Sequence, residues 1–483
     1  MRFPVPVVRS LVLLAVLAAP LRAQLITPRT IPVSQAEQFD IHPSQYSGMG
    51  GASIAIQDTL LDAFVNPAKG ARWNVSRAFS APAIYSVSRS SGGGRTIPVG
   101  LMATAGDWFG SVAAALQEID TEEPPVFFAP IPPPPQPGGV GAPGIGEQQN
   151  GNALAELMLG RRFGEGLSLA ASLQWSRLHA LDGTIALYQG STGVDQRGGT
   201  GGARIGMLLE REGRSFEAVL VHHRVRLDNT VRYVDFVFDP PTQSVIPMAR
   251  TVDDLEQSRT WGLHVAHTRA LGGGPWTLGW AATANRISRS AVPDYAVMSL
   301  PADPGTITAF NVGMGVSRRH RGEMFGADFI YEPGTGRSAS ATRHTDYRFR
   351  NLLLRAGFSA DLDRSEDGRR GANIQLGLNL RSVNYRLDER TLATGARTSQ
   401  AESWTEWTPT WGLGFGFSSL EIRYRGQVMH GTGRPAAVPP PFSCEVCVAI
   451  DRGTPFTGSS GLPSSLEKVR VVMHHFTLSI PLR

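Results

Sequence analysis

Apolar and polar residues alternate with a period of two along most of the chain. Over residues 167–175 the odd positions carry Leu, Ala and Trp, while the even positions carry Ser, Ala and Gln. Over residues 374–381 every even position is Leu or Ile and every odd position is Gly or polar. Side chains in a β-strand point alternately to its two faces, whereas a helix repeats every ~3.6 residues. The pattern therefore predicts strands with one apolar face.

Similar segments recur throughout the sequence. They lie near residues 77–89, 97–119, 151–162, 199–225, 259–288, 307–332, 347–362, 407–418, 420–428 and 468–482. Several are long enough to hold two strands joined by a tight turn. The count reaches about sixteen strands, or about fourteen if the first pair is a single strand.

Short and long connections alternate between these segments. Short turns are predicted at 106–107, 164–166, 212–214, 272–274, 321–322, 363–370 and 418–419. Long polar connections are predicted near 120–150, 180–198, 226–258, 289–306, 333–346, 387–405 and 429–466. Bacterial outer-membrane barrels have short periplasmic turns and long extracellular loops. The predicted fold is all-β, a transmembrane antiparallel outer-membrane β-barrel.

The amino-acid composition is typical of a fold with many turns. The 483 residues include 54 Gly and 34 Pro, and 18% are charged, against a usual charged share of ~25%. Beyond the N-terminus no apolar run is long enough for a spanning helix. A secreted soluble propeller or sandwich is the alternative, although no repeat of ~40–50 residues, the period of a propeller, is present.

The chain begins like an exported protein. Arg2 and Arg9 precede an apolar run at 11–19, and a small-residue cleavage pattern ends at Ala23. The run is shorter than the ~20 residues of a spanning helix, so residues 1–23 are predicted to be a signal peptide. Its removal leaves 43 basic and 41 acidic residues, from 46 and 41 in the whole chain. This near balance gives no reason to expect a nucleic-acid partner.

Residues 24–75 form a segment unlike the rest of the chain. Glycines permit close backbone approach, Asp is a good helix cap and Pro stops a helix. The marked residues are Gly48, Met49, Gly50, Gly51, Ala52, Asp58, Asn66, Pro67 and Ala68. In this order and spacing they resemble the N-terminal hatch of FadL-type outer-membrane transporters of long-chain fatty acids and other hydrophobic compounds. The PorV-type barrels of the type IX secretion system are similar in the same stretch.

The resemblance in motif covers only about residues 45–72, and it implies a plug followed by a barrel at 76–483. FadL-type barrels have about fourteen strands, so a count of about sixteen departs from that family. Irregular backbone is tolerated inside a barrel because protein surrounds it. The alternative is that residues 24–75 are a periplasmic extension that does not enter the barrel.

Charged residues are predicted to face the barrel interior. The set comprises Arg355, Arg381, Glu421, Arg423 and Arg425. An arginine among them binds a ligand carboxylate in one interpretation, because guanidinium groups pair well with carboxylates. In the other interpretation these arginines pair with neighbouring acids and have a structural role.

The sequence contains two cysteines and no recognisable catalytic motif. Cys444 and Cys447 are predicted to form a disulfide in the last long connection, since the compartment is oxidising. A redox role would need a thioredoxin-like context, and two thiols without histidine make no structural zinc site. No nucleophile elbow, phosphate loop or zinc helix is found. We therefore expect no metal, no cofactor and no enzyme activity, with a lipid-acting barrel enzyme as the alternative.

The sequence thus predicts a passive transporter of hydrophobic small molecules, such as long-chain fatty acids, in the bacterial outer membrane. The alternative is a PorV-like barrel that binds or escorts secreted proteins. Expected partners are a hydrophobic ligand, outer-membrane lipid and the barrel-assembly machinery. The final strand alternates as a barrel strand should, but it ends in Arg483 where many such barrels end in an aromatic residue.

Overall fold

The computed structural model describes most of the chain after the N-terminal region. The described residues are 40–88, 92–120, 151–164, 166–181, 191–289, 292–294, 300–339, 343–364, 371–435 and 466–482. The predicted signal peptide, Cys444, Cys447 and Arg483 lie outside them.

Sixteen antiparallel strands form one sheet that closes on itself. The strands are β1 (Arg77–Ser80 and Ala83–Val87), β2 (Gly93–Ala105), β3 (Trp108–Asp120), β4 (Gly151–Phe163), β5 (Leu167–Leu178), β6 (Ser191–Arg211), β7 (Arg214–Asp239), β8 (Ser244–Ala270), β9 (Trp276–Arg289), β10 (Leu300–His320), β11 (Glu323–Ala339), β12 (Arg343–Arg364), β13 (Gly371–Thr391), β14 (Arg397–Gly416), β15 (Glu421–Pro435) and β16 (Leu466–Pro481). A short strand, Val292–Asp294, pairs with β10 alone. The prediction of a closed barrel with about sixteen strands is confirmed.

The first strand closes the barrel. Both halves of β1 pair with β2 on one side and β16 on the other. Ala81 and Pro82 separate the halves, and Pro lacks the N–H that a strand ladder needs. The Pro82 carbonyl still accepts a hydrogen bond from the Phe476 nitrogen at 2.9 Å, so the wall continues across the interruption.

The short turns that the sequence predicts lie at one end of the barrel, which we call the short-turn end. Gly106, Gly164, Gly213 and Gly322 have positive φ, which suits the tight turns that join neighbouring antiparallel strands. The predictions of long connections over 226–258, 333–346 and 387–405 are wrong, because strands occupy most of each stretch. Only residues 240–243 join β7 to β8, β11 ends at Ala339 and β12 begins at Arg343, and residues 392–396 join β13 to β14. These polar stretches are strand extensions beyond the end opposite the short turns.

The outer face carries an apolar band. Exposed side chains on it include those of Val112, Leu157, Leu173, Val312 and Leu376. The alternating positions on the same strands point inward and are mostly polar, small or glycine. An apolar exterior around a polar interior is the arrangement of a barrel embedded in lipid. The chain is a β-barrel of the bacterial outer membrane.

Exposed tryptophans mark the two edges of this band. Trp108 and Trp276 begin strands at the short-turn end, and Trp175, Trp261 and Trp407 lie about nine residues farther along theirs. Nine residues at ~3.3 Å each, tilted by ~40°, span about 23 Å, close to the ~25 Å apolar band of such barrels. The remaining lengths of β7 and β8, strands of 26 and 27 residues, therefore extend beyond the membrane.

In the part of the chain that the structure describes, helical structure is confined to the segment before β1. Helix α1 spans Asp62–Val65 and a 3₁₀ helix spans Pro67–Arg72. Among the described residues, no helix is long and apolar enough to cross a bilayer.

Candidate functional site

Residues 40–73, which we call the hatch, lie inside the barrel at the short-turn end. Gly48 contacts β13 and β14, Ile54 contacts β9, β10 and β11, and Asn66 contacts β6 and β7. These wall positions lie within the half of each strand nearest the short turns. The hatch thus crosses the lumen and meets the wall on several sides.

The first part of the hatch is held by backbone hydrogen bonds to wall side chains. The Gly48 nitrogen donates to Gln375 Oε1 at 3.0 Å, and the Gly50 nitrogen donates to Thr410 Oγ1 at 2.9 Å. Thr410 Oγ1 in turn donates to the Gly48 carbonyl at 2.7 Å. Gly50 has a φ of +66°, a conformation that glycine adopts without strain.

Glycines of the wall make room for this backbone. A Cβ at Gly377 would lie 2.1 Å from the Gly50 nitrogen, and one at Gly357 would lie 2.4 Å from the Met49 carbonyl. At Gly48 of the hatch, a Cβ would in turn lie 2.8 Å from the Gly412 nitrogen of the wall. The hatch backbone occupies the volume that wall side chains would otherwise fill, so its path is specified partly by the wall sequence.

Asp58 organises the hatch internally. Its carboxylate accepts five hydrogen bonds of 2.6–3.2 Å. The donors are Ser44 Oγ and the backbone nitrogens of Gln45, Tyr46, Leu60 and Leu61. One buried carboxylate therefore joins the start of the hatch to the turn before α1.

A carboxylate of the wall binds the middle of the hatch. Asp328 Oδ2 on β11 accepts hydrogen bonds from the nitrogens of Ser53 and Ile54 at 2.6 and 3.2 Å. Arg355 Nη1 donates to the Gly51 carbonyl at 3.4 Å, and Ala52 packs beside Met49 and Ile56. The Asp328 contact is among the strongest that hold the hatch, because its charged carboxylate accepts from two backbone nitrogens.

The Asn66-Pro67-Ala68 part of the motif turns the chain into the 3₁₀ helix. Asn66 Oδ1 accepts from the Ala68 nitrogen at 3.1 Å, and Asn66 Nδ2 donates to Glu217 Oε2 on β7 at 2.8 Å. Asn66 is fully buried. The same side chain caps the helix and fixes it to the wall.

Three carboxylates and two cations meet beside this helix. Lys69 Nζ lies 3.6 Å from Asp62 and 3.0 Å from Glu217, and Arg72 bridges Asp62 and Glu210 at 3.2 and 3.0 Å. Burial raises the pKa of Asp62 to about 6, although Lys69 opposes the shift. Burial alone would lower the pKa of Lys69, but the nearby Asp62 and Glu217 carboxylates raise it. The cluster has one carboxylate more than it has cations, which makes Asp62 the easily protonated member.

The arginines predicted to face the lumen contact the hatch or neighbouring acids. Arg425 pairs with Asp40, and Arg423 Nη1 donates to the Gln45 carbonyl at 3.0 Å. Burial raises the pKa of Asp40, but Arg425, together with His475 and His42, outweighs this effect and brings the pKa to about 2.

The other two predicted lumen residues belong to wall pairs. Glu421 pairs with Arg423 and, at 3.2 Å, with Arg77. Arg381 is paired with Glu332 at 2.9 Å, and both are buried. In this structure the predicted arginines therefore make internal pairs.

An apolar core joins the helical part of the hatch to β1–β6. Phe64 lies 5.8 Å from Phe79, ring centroid to centroid, in an edge-on arrangement. The buried side chains of this core are Leu60, Ala63, Phe64, Ala68, Trp73, Phe79, Met102, Phe109, Ala113, Met158, Ala170 and Leu208.

Above the hatch, toward the long-loop end, the inner wall of β9–β13 carries a polar layer and an apolar cluster. The polar layer includes Asn285, Asn311, Glu332, Asn351 and Arg381, all buried. The apolar cluster consists of Ile287, Ile307, Tyr347, Phe349 and Leu387. Sequence reasoning identified only Arg381 among these, although strand parity places the others on the inward face.

Comparison with known proteins finds similarity in structure only. No family model and no curated protein matches the sequence. A FadL homologue from Pseudomonas aeruginosa is 12% identical, with a TM-score of 0.43, covering 91% of this chain and 98% of the other. The CymD monoaromatic hydrocarbon channel is 12% identical, with a TM-score of 0.37 over 94% and 97% of the two chains.

A bacterial polysaccharide outer membrane secretin is 7% identical, with a TM-score of 0.41 over 85% of this chain and 99% of that one. At these identities the likeness concerns the fold alone. The resemblance to the FadL-type hatch rests on the motif in residues 45–72, and a FadL homologue is among the solved proteins of similar fold.

Proposed function

We propose that this barrel is a passive outer-membrane channel for hydrophobic small molecules, closed at rest by the hatch. The observation that carries the proposal is the juxtaposition of an apolar, inward-facing cluster with a hatch that crosses the lumen below it. Tyr347 and Phe349 place apolar rings on the inner wall, where water gains nothing from contact with them. A hydrophobic ligand gains free energy from that contact.

The contacts of the hatch support reversible movement. Its first part is held by hydrogen bonds to Gln375, Thr410 and Asp328, and its second part by an apolar core and an ion cluster. Each hydrogen bond contributes only about 0.5–1.5 kcal/mol net, and more where a charge is involved. The segment 48–56 is therefore the part that we expect to shift first, while α1 and the 3₁₀ helix stay docked.

The proposed pathway starts at the long-loop end. A hydrophobic molecule enters the extended part of the barrel, partitions onto the apolar cluster, and reaches the polar layer. It passes to the periplasm when segment 48–56 leaves the wall. A FadL homologue and a monoaromatic hydrocarbon channel are among the proteins of similar fold. Fatty acids are one candidate substrate among several.

Uptake of a hydrophobic dye tests the proposal. Cells that produce the protein in their outer membrane are mixed with N-phenyl-1-naphthylamine, which fluoresces after it passes the lipopolysaccharide layer. We expect faster entry than in cells without the protein. A variant lacking residues 47–56 is expected to admit the dye faster still.

Entry rates equal to those of cells without the protein contradict the channel. An unchanged rate in the deletion variant contradicts hatch gating. If the protein admits no dye and instead copurifies with an exported polypeptide, the PorV-like escort is the better interpretation.

A further inference from the structure

A row of polar side chains crosses the inner wall above the hatch. Glu332 on β11 is in register with Asn351 on β12. Asn311 on β10 stands at the same level, because the flanking register pairs are 309 with 334 and 312 with 331. Side chains opposite each other on one face of an antiparallel pair have Cβ atoms ~4.5–5.5 Å apart. Asn285 on β9 extends the row diagonally, and together these four residues form what we call the polar row.

The polar row presents buried hydrogen-bonding atoms that no described residue satisfies. They are Asn285 Nδ2 and Oδ1, Asn311 Nδ2, Glu332 Oε1 and Asn351 Oδ1. All four side chains are more than nine-tenths buried. Unsatisfied buried polar groups cost free energy, so a molecule that pairs with several of them at once gains binding free energy.

The charges around the polar row disfavour an anion. Arg381 is already paired with Glu332 at 2.9 Å. Glu406, buried on β14, is in register with Arg381 and accepts a hydrogen bond from Trp404 Nε1 at 3.0 Å. Two carboxylates thus face one guanidinium. A ligand carboxylate placed here meets a net negative charge, and like charges at close range in a poorly solvated site repel strongly.

The apolar cluster lies directly beyond the polar row. Ile287 follows Asn285 by two residues on β9, and Phe349 precedes Asn351 by two residues on β12, so each pair shares the inward face about 6.6 Å apart. Tyr347 is in register with Gly336 of β11, and its ring lies where a Gly336 side chain would be. The rings therefore lie along the wall and form an apolar surface next to the hydrogen-bonding row.

We infer that the polar row binds the uncharged hydroxyl group of an amphipathic molecule, whose hydrocarbon part contacts the apolar cluster, and that it discriminates against carboxylates. The unsatisfied atoms include both donors and acceptors, as a hydroxyl requires. This inference rests on the proposed channel function and narrows its substrate class. It replaces the interpretation in which Arg381 binds a carboxylate.

A competition experiment tests the inference. Purified full-length protein in mild detergent is incubated with equal amounts of 1-dodecanol and dodecanoate at pH 8, and bound molecules are quantified by mass spectrometry after gel filtration. We expect at least about tenfold more bound alcohol than acid, equivalent to ~1.4 kcal/mol. Asn285→Leu and Asn351→Leu should each reduce this preference several-fold.

Asn384→Leu is the matched control. Asn384 lies on β13 with its amide donating to the Arg350 carbonyl at 3.1 Å in an exposed contact. Its parity is opposite to that of the inward Arg381, so it lies on the other face of the wall from the polar row. Thermal unfolding separates binding from folding: replacing unsatisfied Asn285 or Asn351 should leave the melting temperature unchanged or higher, whereas a structural role predicts a decrease.

Two outcomes overturn the inference. If the wild type binds dodecanoate as well as or better than dodecanol, the polar row has no preference for hydroxyls. If the preference persists in both Asn→Leu variants, it arises elsewhere. Binding of neither compound, together with no dye uptake, contradicts the proposed function itself.

Discussion

At the scale of single residues, docking of the hatch depends both on wall glycines, which lack a side chain, and on wall side chains that form hydrogen bonds with it. Gly357 and Gly377 leave room for the hatch backbone, while Thr410 and Asp328 supply its hydrogen-bond partners. Strand parity indicates from sequence that these positions face inward. It does not show which of them contact the hatch, because those contacts join segments that are 275 to 360 residues apart in sequence.

Adding one methyl group at such a glycine should loosen the hatch. In Gly377→Ala the new Cβ lies 2.1 Å from the Gly50 nitrogen, so the backbone must move. Overpacking of this kind costs about 1–3 kcal/mol. We expect faster proteolysis of the hatch in limited digestion of the refolded protein.

Gly201→Ala is the control for this change, since a Cβ there meets nothing within 4 Å. Equal proteolysis rates for the two variants would show that the hatch does not lie against Gly377.

The ion cluster beside the 3₁₀ helix should make hatch docking depend on pH. The pKa of Asp62 is about 6 in the docked state and is expected near its ordinary value of ~3.9 once the hatch is solvated. A pKa raised by docking means that docking takes up a proton between these values. Asp62 therefore favours docking as pH falls from 7 to 5, and that contribution fades as pH rises through 6.

Hydrogen exchange of the hatch amides between pH 5 and 7, corrected for intrinsic rates, measures this dependence. Asp62→Asn should flatten it. Asp40, with a pKa of about 2, stays ionised throughout this range in the docked state, so Asp40→Asn should leave the slope unchanged. An identical slope in wild type and Asp62→Asn would refute the assignment.

At the scale of elements, the sequence predicts the membrane-spanning part of each strand but not how far the strand continues beyond the membrane. Over residues 167–175 one face meets lipid and the other the lumen, so alternation is strong. Beyond the membrane the pattern on β7 is reversed: Leu227, Val231 and Tyr233 are buried inside, while the outward positions carry Asp228, Thr230 and Arg232. Without an apolar outer face, residues 226–258 resemble a loop in the sequence. The polar row could not be predicted from sequence for a related reason. A single inward-facing Asn is common in a barrel, and only the register between strands places Asn311, Glu332 and Asn351 side by side.

Segment 48–56 should be the least firmly held part of the hatch, and Asp328 its main attachment. Asp328→Ala removes the acceptor of the Ser53 and Ile54 nitrogens, and loss of a charged acceptor costs about 1.5–3 kcal/mol. We expect faster hydrogen exchange in 48–56 and little change in 62–72.

Asp346→Ala provides the comparison, because the Asp346–Arg337 pair is exposed at 2.9 Å and such surface pairs contribute ~0–1 kcal/mol. Uniform loosening of the whole hatch in Asp328→Ala would contradict two separately held parts.

At the scale of the whole molecule, the apolar band and its two tryptophan edges set the barrel in the membrane. Leu376 lies in this band with its side chain exposed. An arginine near the midplane of a barrel costs about 2–4 kcal/mol and one near the interface ~0–1 kcal/mol. Leu376→Arg should lower the yield of folded barrel in lipid vesicles, measured by heat-modifiable electrophoretic mobility.

Leu392, exposed in the connection between β13 and β14, lies outside the band and supplies the matched variant Leu392→Arg. Equal yields for the two variants would mean that the band does not face lipid.

The central claim is that hatch movement gates the passage of hydrophobic molecules, and a reversible tether tests it most directly. A Cβ at Gly326 would lie 3.7 Å from the Ala52 Cβ, close to the mean ~3.8 Å of disulfides. Ala52→Cys and Gly326→Cys are combined in a chain carrying Cys444→Ser and Cys447→Ser, with Ala52→Cys alone as the control. The prediction is that oxidation slows dye entry at least about tenfold and that a reductant restores it, whereas the same entry rate in both redox states would contradict the claim.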